Sequence, residues 1–181
     1  DHLVRIVNRK HYDRLRGLLE GEEILCGGTW RDDPASDSGW IAPPLVADTL
    51  QATSKPMGEE IFGPILPILP YDSLDQAIQF INHRDKPLAL YLFTRSEQTK
   101  QRVLQRCSFG GGCINDTIIH LATHHMGFGG VGHSGMGSYH GRRGFEAFSH
   151  EKSILKKSRR VDVPVRYAPY GEKKIRLLRR L

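Results

Sequence analysis

Residues 65–115, ILPILPYDSLDQAIQFINHRDKPLALYLFTRSEQTKQRVLQRCSFGGGCIN, decide the fold. Ile65–Leu69 is an apolar run suited to a short strand, although Pro67 has no N–H to offer a ladder. Ser73-Leu-Asp-Gln76 fits a capping box, and Leu74, Ala77, Ile78 and Ile81 recur at helical spacing. The turn NHRDKP leads into Leu88–Phe93, an unbroken apolar run of the kind a parallel sheet covers on both faces. Ser96–Cys107 predicts the next helix, polar at first and then burying Val103, Leu104 and Cys107. Gly110–Asn115 reads as a third strand entered through glycines. The order β-α-β-α-β predicts an α/β fold, a doubly wound and mainly parallel sheet with right-handed crossovers.

Upstream, residues 8–20 predict a helix that Asn8 can cap, with Tyr12, Leu15 and Leu19 on one face. Glu22–Cys26 is a short strand candidate ending in Gly27-Gly28. TWRDDPASDSG (29–39) is polar and turn-rich, a surface loop. Trp40–Val46 is apolar but holds Pro43 and Pro44, so it predicts an edge strand or an extended segment. Downstream, residues 115–141 are too long and glycine-rich for an ordinary connection, and such loops tend to be functional. Tyr139–Phe148 predicts a short helix and His150–Lys156 a strand. The chain thus divides at residues 1–150, the folded domain, and 151–181, a strand with a basic tail.

Charge follows that division. Residues 151–181 hold 11 Lys and Arg against 3 acids, and the first 150 hold 15 against 17. The net charge of +6 therefore belongs to the tail, which argues against a nucleic-acid-binding face across the fold. No apolar run reaches the length of a membrane span. Cys26, Cys107 and Cys113 are too scattered for a disulfide framework and read as buried structural thiols in a reducing, cytoplasmic setting. The terminal YGEKKIRLLRRL is a short basic amphipathic stretch, read as a subunit contact or a frayed helix.

Glu59-Glu-Ile-Phe-Gly-Pro64 carries the chemistry. A carboxylate can accept hydrogen bonds from a sugar diol, and an aromatic ring two residues on can pack against a flat heterocycle. The competing reading is an exposed glutamate before a strand, with Phe62 as core. Gly130–Gly135 satisfies G-x-G-x-x-G, but a loop precedes it and Glu146 follows too closely for a dinucleotide fingerprint. Those glycines read instead as letting a loop pack closely. His120, His124 and His125 lack an acidic or cysteine partner at a convincing spacing, so no metal is expected.

Five segments in order carry a resemblance: WIAPPLVADT, MGEEIFGPILPI, KPLALYLF, GGCIND and FGGVGHSGMGSYHGRRGFEAFSHEKS. Together they resemble the carboxy-terminal part of an NAD(P)-dependent aldehyde dehydrogenase, of the class 3 branch that takes fatty and aromatic aldehydes. The resemblance implies that Glu60 bonds the nicotinamide-ribose hydroxyls, with Phe62 and Leu88 beside the nicotinamide. It implies that Ile118 and Phe128 line the aldehyde tunnel. Gly127 replaces the family's usual proline, Pro44 a threonine and Cys113 a valine. The family's cysteine nucleophile, glutamate base, asparagine donor and Rossmann domain all fall before residue 1, so no catalytic residue is expected in this chain. The segment around Ser153–Lys156 resembles a strand that pairs with a neighbouring subunit. The expected partners are therefore an aldehyde substrate and a second copy or the missing amino-terminal portion, with NAD or NADP as cofactor. A non-catalytic assembly module is the alternative.

Overall fold

The computed structural model describes residues 4–33, 38–49 and 53–180. Two compact units emerge, Asp1–Ala147 and Phe148–Leu181. In the first, helix α1 (Arg9–Leu19) begins at Asn8, whose side chain accepts from His11 N at 2.9 Å. That bond satisfies one of the amides a helix start leaves unpaired. Tyr12, Leu15, Leu18 and Leu19 form its buried face.

Three strands lie beside this helix in the order β1-β4-β5: β1 (Ile24–Cys26), β4 (Leu45–Ala47) and β5 (Leu66–Ile68). β1 runs antiparallel to β4, and β4 parallel to β5. Ile6, Tyr12, Leu15, Leu18, Leu19, Ile41, Val46 and Ile65 form one core. The stretch read as a polar loop is instead a hairpin of β2 (Trp30–Asp33) and β3 (Ser38–Ile41). Its rings explain it: Trp30 meets Tyr12 edge-on at 5.2 Å, and the Arg31 guanidinium lies 4.8 Å from the Trp40 ring centroid. β4 is the middle strand, not an edge, because Pro43 and Pro44 precede it and leave its own amides free to pair.

A second core joins helix α2 (Leu74–Asn82) to helix α3 (Glu97–Arg106) through Ile78, Val103 and Cys107. Ser73 and Ser96 cap the two helices by accepting from Gln76 N and Thr99 N. β6 (Ala89–Leu92) and β7 (Gly111–Ile114) pair in parallel on either side of α3, the expected crossover unit. The mixed α/β class holds, yet among the described residues the strands form three small sheets in place of a single doubly wound one. β5 is three residues long, contains Pro67 and pairs with β4, not with β6. Leu88, Tyr91 and Phe93 are exposed, so the run expected to be covered on both faces lacks that cover here. Leu104, expected inside, is exposed as well.

Asp75 ties α2 to α3 by pairing with Arg102 and Arg106. Hydrogen bonding from Arg106, followed by Arg102, holds its carboxyl below the ordinary range. A depressed pKa stabilises the fold above the ordinary carboxylate value, and the effect disappears as pH falls through the depressed one. Wild type should therefore exceed Asp75→Asn in stability at neutral pH, with the gap closing below about pH 4. Urea titrations at pH 7 and pH 3 check this, and an unchanged gap contradicts it.

The second unit carries helix α5 (Glu172–Leu178) and buries Val165. His150–Lys156, expected as a strand, forms no ladder here, and Ile154 and Leu155 stand exposed. An isolated extended segment has nothing to satisfy its amides except water. Among the described residues no helix is long and apolar enough to cross a membrane.

Candidate functional site

The EEIFGP segment lies across α1. Arg14 reaches from that helix to Glu59 Oε1 at 2.7 Å, to Glu60 O at 3.4 Å and to Ile61 O. His11, one turn earlier, contacts Phe62 O through Nε2 at 2.7 Å. Arg14 Nε donates to His11 Nδ1 at 3.3 Å, so Nε2 carries the proton and donates to the carbonyl. Phe62 holds φ +46°, a left-handed conformation that costs a non-glycine residue about 1–2 kcal/mol. Beneath it Gly63 lets the segment sit on Leu15: a Cβ there would fall 2.6 Å from Leu15 Cδ2.

The two glutamates have different fates. Glu59 pairs with Arg14, whereas the Glu60 carboxylate has no protein partner among the described residues. Glu60 lines an open cleft of about 570 Å³ with Glu59, Arg84, Asp85, Lys86, His133 and Ser134. Arg84 Nη2 donates to Met57 O at 2.6 Å, and His133 Nδ1 pairs with Asp85 at 2.9 Å along the lining. Glu60 is exposed, and its carboxylate shares a lining of mixed charge, Arg84 and Lys86 beside Glu59 and Asp85, which suits a ligand with hydroxyls.

Phe62 turns elsewhere. It is 78% exposed, not core, and lines a separate hollow of about 430 Å³ with His11, Arg14 and Lys10. Leu88 is exposed and follows Pro87, which lines the cleft, and its carbonyl accepts from Gly111 N at 3.0 Å. Phe128 belongs to a third group. It bridges Tyr139 by two backbone bonds of 2.8 and 3.0 Å, and its ring meets His120 at 5.7 Å and stacks on His140 at 5.9 Å. Ile118, exposed and at φ +63°, starts the 3-10 turn Ile119–Leu121 that carries His120. Glu60 thus lines one cleft and Phe62 another hollow, Leu88 follows a residue of the Glu60 cleft, and Ile118 begins the turn whose His120 meets Phe128.

Sequence reading missed the roles of His11 and Arg14, although their i, i+3 spacing put both on one helical face. It also missed His120 as the buried ring between Tyr91 and Phe128. Among the described residues no three His, Cys, Asp or Glu side chains group as metal ligands. The G-x-G-x-x-G run forms a 3-10 turn at Gly132–Ser134 and opens no helix. A Cβ on Gly130 would fall 2.0 Å from Ser134 O, so close packing explains that glycine.

All three cysteines are free. Cys26 is exposed, which corrects the expectation of burial; it lies in a three-residue strand whose residues all face solvent. Cys113 is half-buried, 3.6 Å from His120 Nδ1. Burial pushes the Cys107 thiol up. Alkylation of the native protein near pH 8 should therefore label Cys26 first and Cys107 last. Peptide mass mapping over time checks the order, and early labelling of Cys107 contradicts it.

The sequence pattern of the aldehyde dehydrogenase family matches residues 5–154. A Staphylococcus aureus 4,4'-diaponeurosporen-aldehyde dehydrogenase is 52% identical over 171 residues, 93% of this chain and 36% of that protein. The Rattus norvegicus aldehyde dehydrogenase family 3 member B1 is 45% identical over 181 residues, 98% of this chain and 37% of its own length. Among solved structures, the substrate-bound state of Staphylococcus aureus AldH superposes with a TM-score of 0.80 at 49% identity, over 97% of this chain and 38% of that one. A Mycobacterium tuberculosis aldehyde dehydrogenase complexed with NAD+ gives 0.71 at 30% identity, over 84% and 32%. The chain therefore spans 32–38% of the length of these relatives. It belongs to the aldehyde dehydrogenase family.

Proposed function

We propose that these 181 residues serve an NAD(P)-dependent oxidation of an aldehyde to a carboxylate. In this reading Glu60 holds the nicotinamide ribose, Phe62 and Leu88 border the nicotinamide end, and Ile118 and Phe128 shape the aldehyde tunnel. One observation carries it: of two adjacent glutamates, only Glu60 keeps its carboxylate unengaged, and it lines a cleft large enough for a nucleoside. The residues present fit the group. A carboxylate can accept from both hydroxyls of a diol, and Arg84 and Lys86 bring positive charge to the same lining. When bound there, NAD(P) supplies the hydride acceptor. The chain's own part is to hold and orient that ring. None of Cys26, Cys107 and Cys113 matches the family's nucleophile, so the attacking sulfur lies outside these residues.

Partner association fits the same reading. Phe93, Ile154, Leu155 and Phe148 are uncovered apolar side chains, and surfaces of this kind favour a second copy or further polypeptide. The same exposed side chains favour the second reading, an assembly module without chemistry of its own. Free thiols support a reducing, cytoplasmic setting.

The test is steady-state kinetics on the holoenzyme. A hydrogen bond to a charged group contributes about 1.5–3 kcal/mol, so Glu60→Gln should raise the KM for NAD(P)+ about tenfold or more. Unchanged cofactor kinetics would refute the assignment. No aldehyde-dependent NAD(P)H from the wild-type holoenzyme would leave the assembly reading in its place.

A further inference from the structure

We propose that Cys113, with His120 as its base, is a modification site for small neutral α,β-unsaturated carbonyl compounds. The inference goes beyond the oxidation proposed above and does not rest on the Glu60 cleft. Cys113 lies in β7, and His120 in the 3-10 turn Ile119–Leu121 that follows it. Gly111 and Cys113 alternate with Gly112 along the strand, so they share one of its faces. His120 lies along that face. Its Nδ1 is 3.6 Å from Cys113 Sγ, and a Cβ on Gly111 would fall 3.1 Å from its Cδ2. The absence of a side chain at 111 gives the ring room to reach the sulfur.

Neighbouring rings hold the imidazole in place. Tyr91, the register partner of Cys113 on β6, meets it edge-on at 5.7 Å, and Phe128 meets it at 5.7 Å as well. His120 is only 8% exposed, yet its Nε2 has no hydrogen-bond partner among the described residues. A buried polar atom left unpaired is costly, and its presence calls for an explanation. Packing does not provide one, because a phenyl ring would fill the space between Tyr91 and Phe128 with no orphaned nitrogen. What imidazole adds is the second nitrogen, which faces the sulfur. A thiol with an imidazole in hydrogen-bond reach is the arrangement of a base-assisted nucleophile. Cys113 is also half-buried, so its sulfur is open to a small reagent where that of the buried Cys107 is not.

Conjugate addition suits this pair. With the ring protonated at Nε2, Nδ1 takes the thiol proton as sulfur bonds to the β carbon of the acceptor. The π pair of the C=C bond moves to the α carbon, which then takes the proton back from Nδ1. The S–H bond and the C=C π bond break, and an S–C and a C–H bond form. Nothing leaves, and neither an oxidant nor a reductant is needed. The Tyr91 and Phe128 rings beside the base favour a neutral acceptor over a charged one, since neither ring can pair with an ion shed of its water.

The experiment treats the holoenzyme with acrylamide at neutral pH and follows each cysteine by peptide mass mapping, with Cys26 as the reference in the same molecule. A positioned base contributes about a hundredfold or more, so His120→Phe should slow Cys113 by at least about tenfold and leave Cys26 within about twofold. The thermal midpoint reports whether that variant folds. A second measurement needs no variant. Cys113 should react several-fold faster in the native enzyme than in urea, where His120 no longer lies beside it, and Cys107 should do the reverse. A half-buried thiol without assistance is slowed by the fold. Slower reaction of Cys113 in the native enzyme than in urea overturns the inference, and so do equal rates for wild type and folded His120→Phe.

Discussion

Gly112→Ala should destabilise the protein by about 3 kcal/mol or more, because a methyl group has nowhere to go. Gly112 lies in β7 directly opposite Leu90 of β6. A Cβ there would fall 2.0 Å from Leu90 O and 3.1 Å from Leu90 C. Both obstructing atoms are backbone, so no side-chain rotation relieves the clash; the two strands must part or slip. Slippage would turn Leu90 and Leu92 away from Ile78, Val103 and Cys107, the core that holds α2 to α3. Gly144→Ala provides the control. No atom lies within 4 Å of its Cβ position, and it sits in helix α4 (Gly141–Ala147). Alanine there should be neutral or stabilising by up to about 1 kcal/mol. Guanidinium unfolding of the three proteins measures both effects, and equal stability for Gly112→Ala and wild type contradicts the geometry.

Leu15→Ala should cost about 2–5 kcal/mol, the usual range for deleting a fully buried leucine side chain. Leu15 is completely buried in the first core, between Tyr12 and Leu18 of the same helix and Ile41, Val46 and Ile65 of the strands. Its two methyl groups also form the floor under Gly63. The cavity therefore opens directly beneath EEIFGP, and loss of stability should come with weaker cofactor binding. Leu104→Ala is the comparison, since Leu104 is 42% exposed and its truncation should cost under about 1 kcal/mol. Denaturant titration separates the two. A loss at Leu15 no larger than at Leu104 contradicts the packing described here.

The elements that sequence revealed are those whose causes are local. Asn8, Ser73 and Ser96 each announced a helix start, and each side chain accepts a bond from the backbone three residues on. The α3 crossover between β6 and β7 was legible for the same reason, from two apolar runs around a capped helix. Sheet partnership was not legible, because it depends on which distant strand arrives. Nothing within Leu45–Ala47 shows that it lies between two neighbours, and nothing within Leu88–Phe93 shows that one face lacks cover. At the site, the motif indicated which residues matter but not their arrangement. Glu59 and Glu60 are identical letters; only Arg14, 45 residues away from Glu59, distinguishes them. Phe62 was expected beside Glu60's ligand; its left-handed backbone sets the ring in a hollow shared with His11 and Arg14, an arrangement the letters alone do not show.

The most direct test is a structure of the holoenzyme with NAD+ bound. The account predicts the nicotinamide-ribose hydroxyls within about 2.5–3.0 Å of the Glu60 carboxylate, in the cleft beside Arg84 and Lys86. A ribose bound elsewhere, with Glu60 facing only solvent, would contradict it.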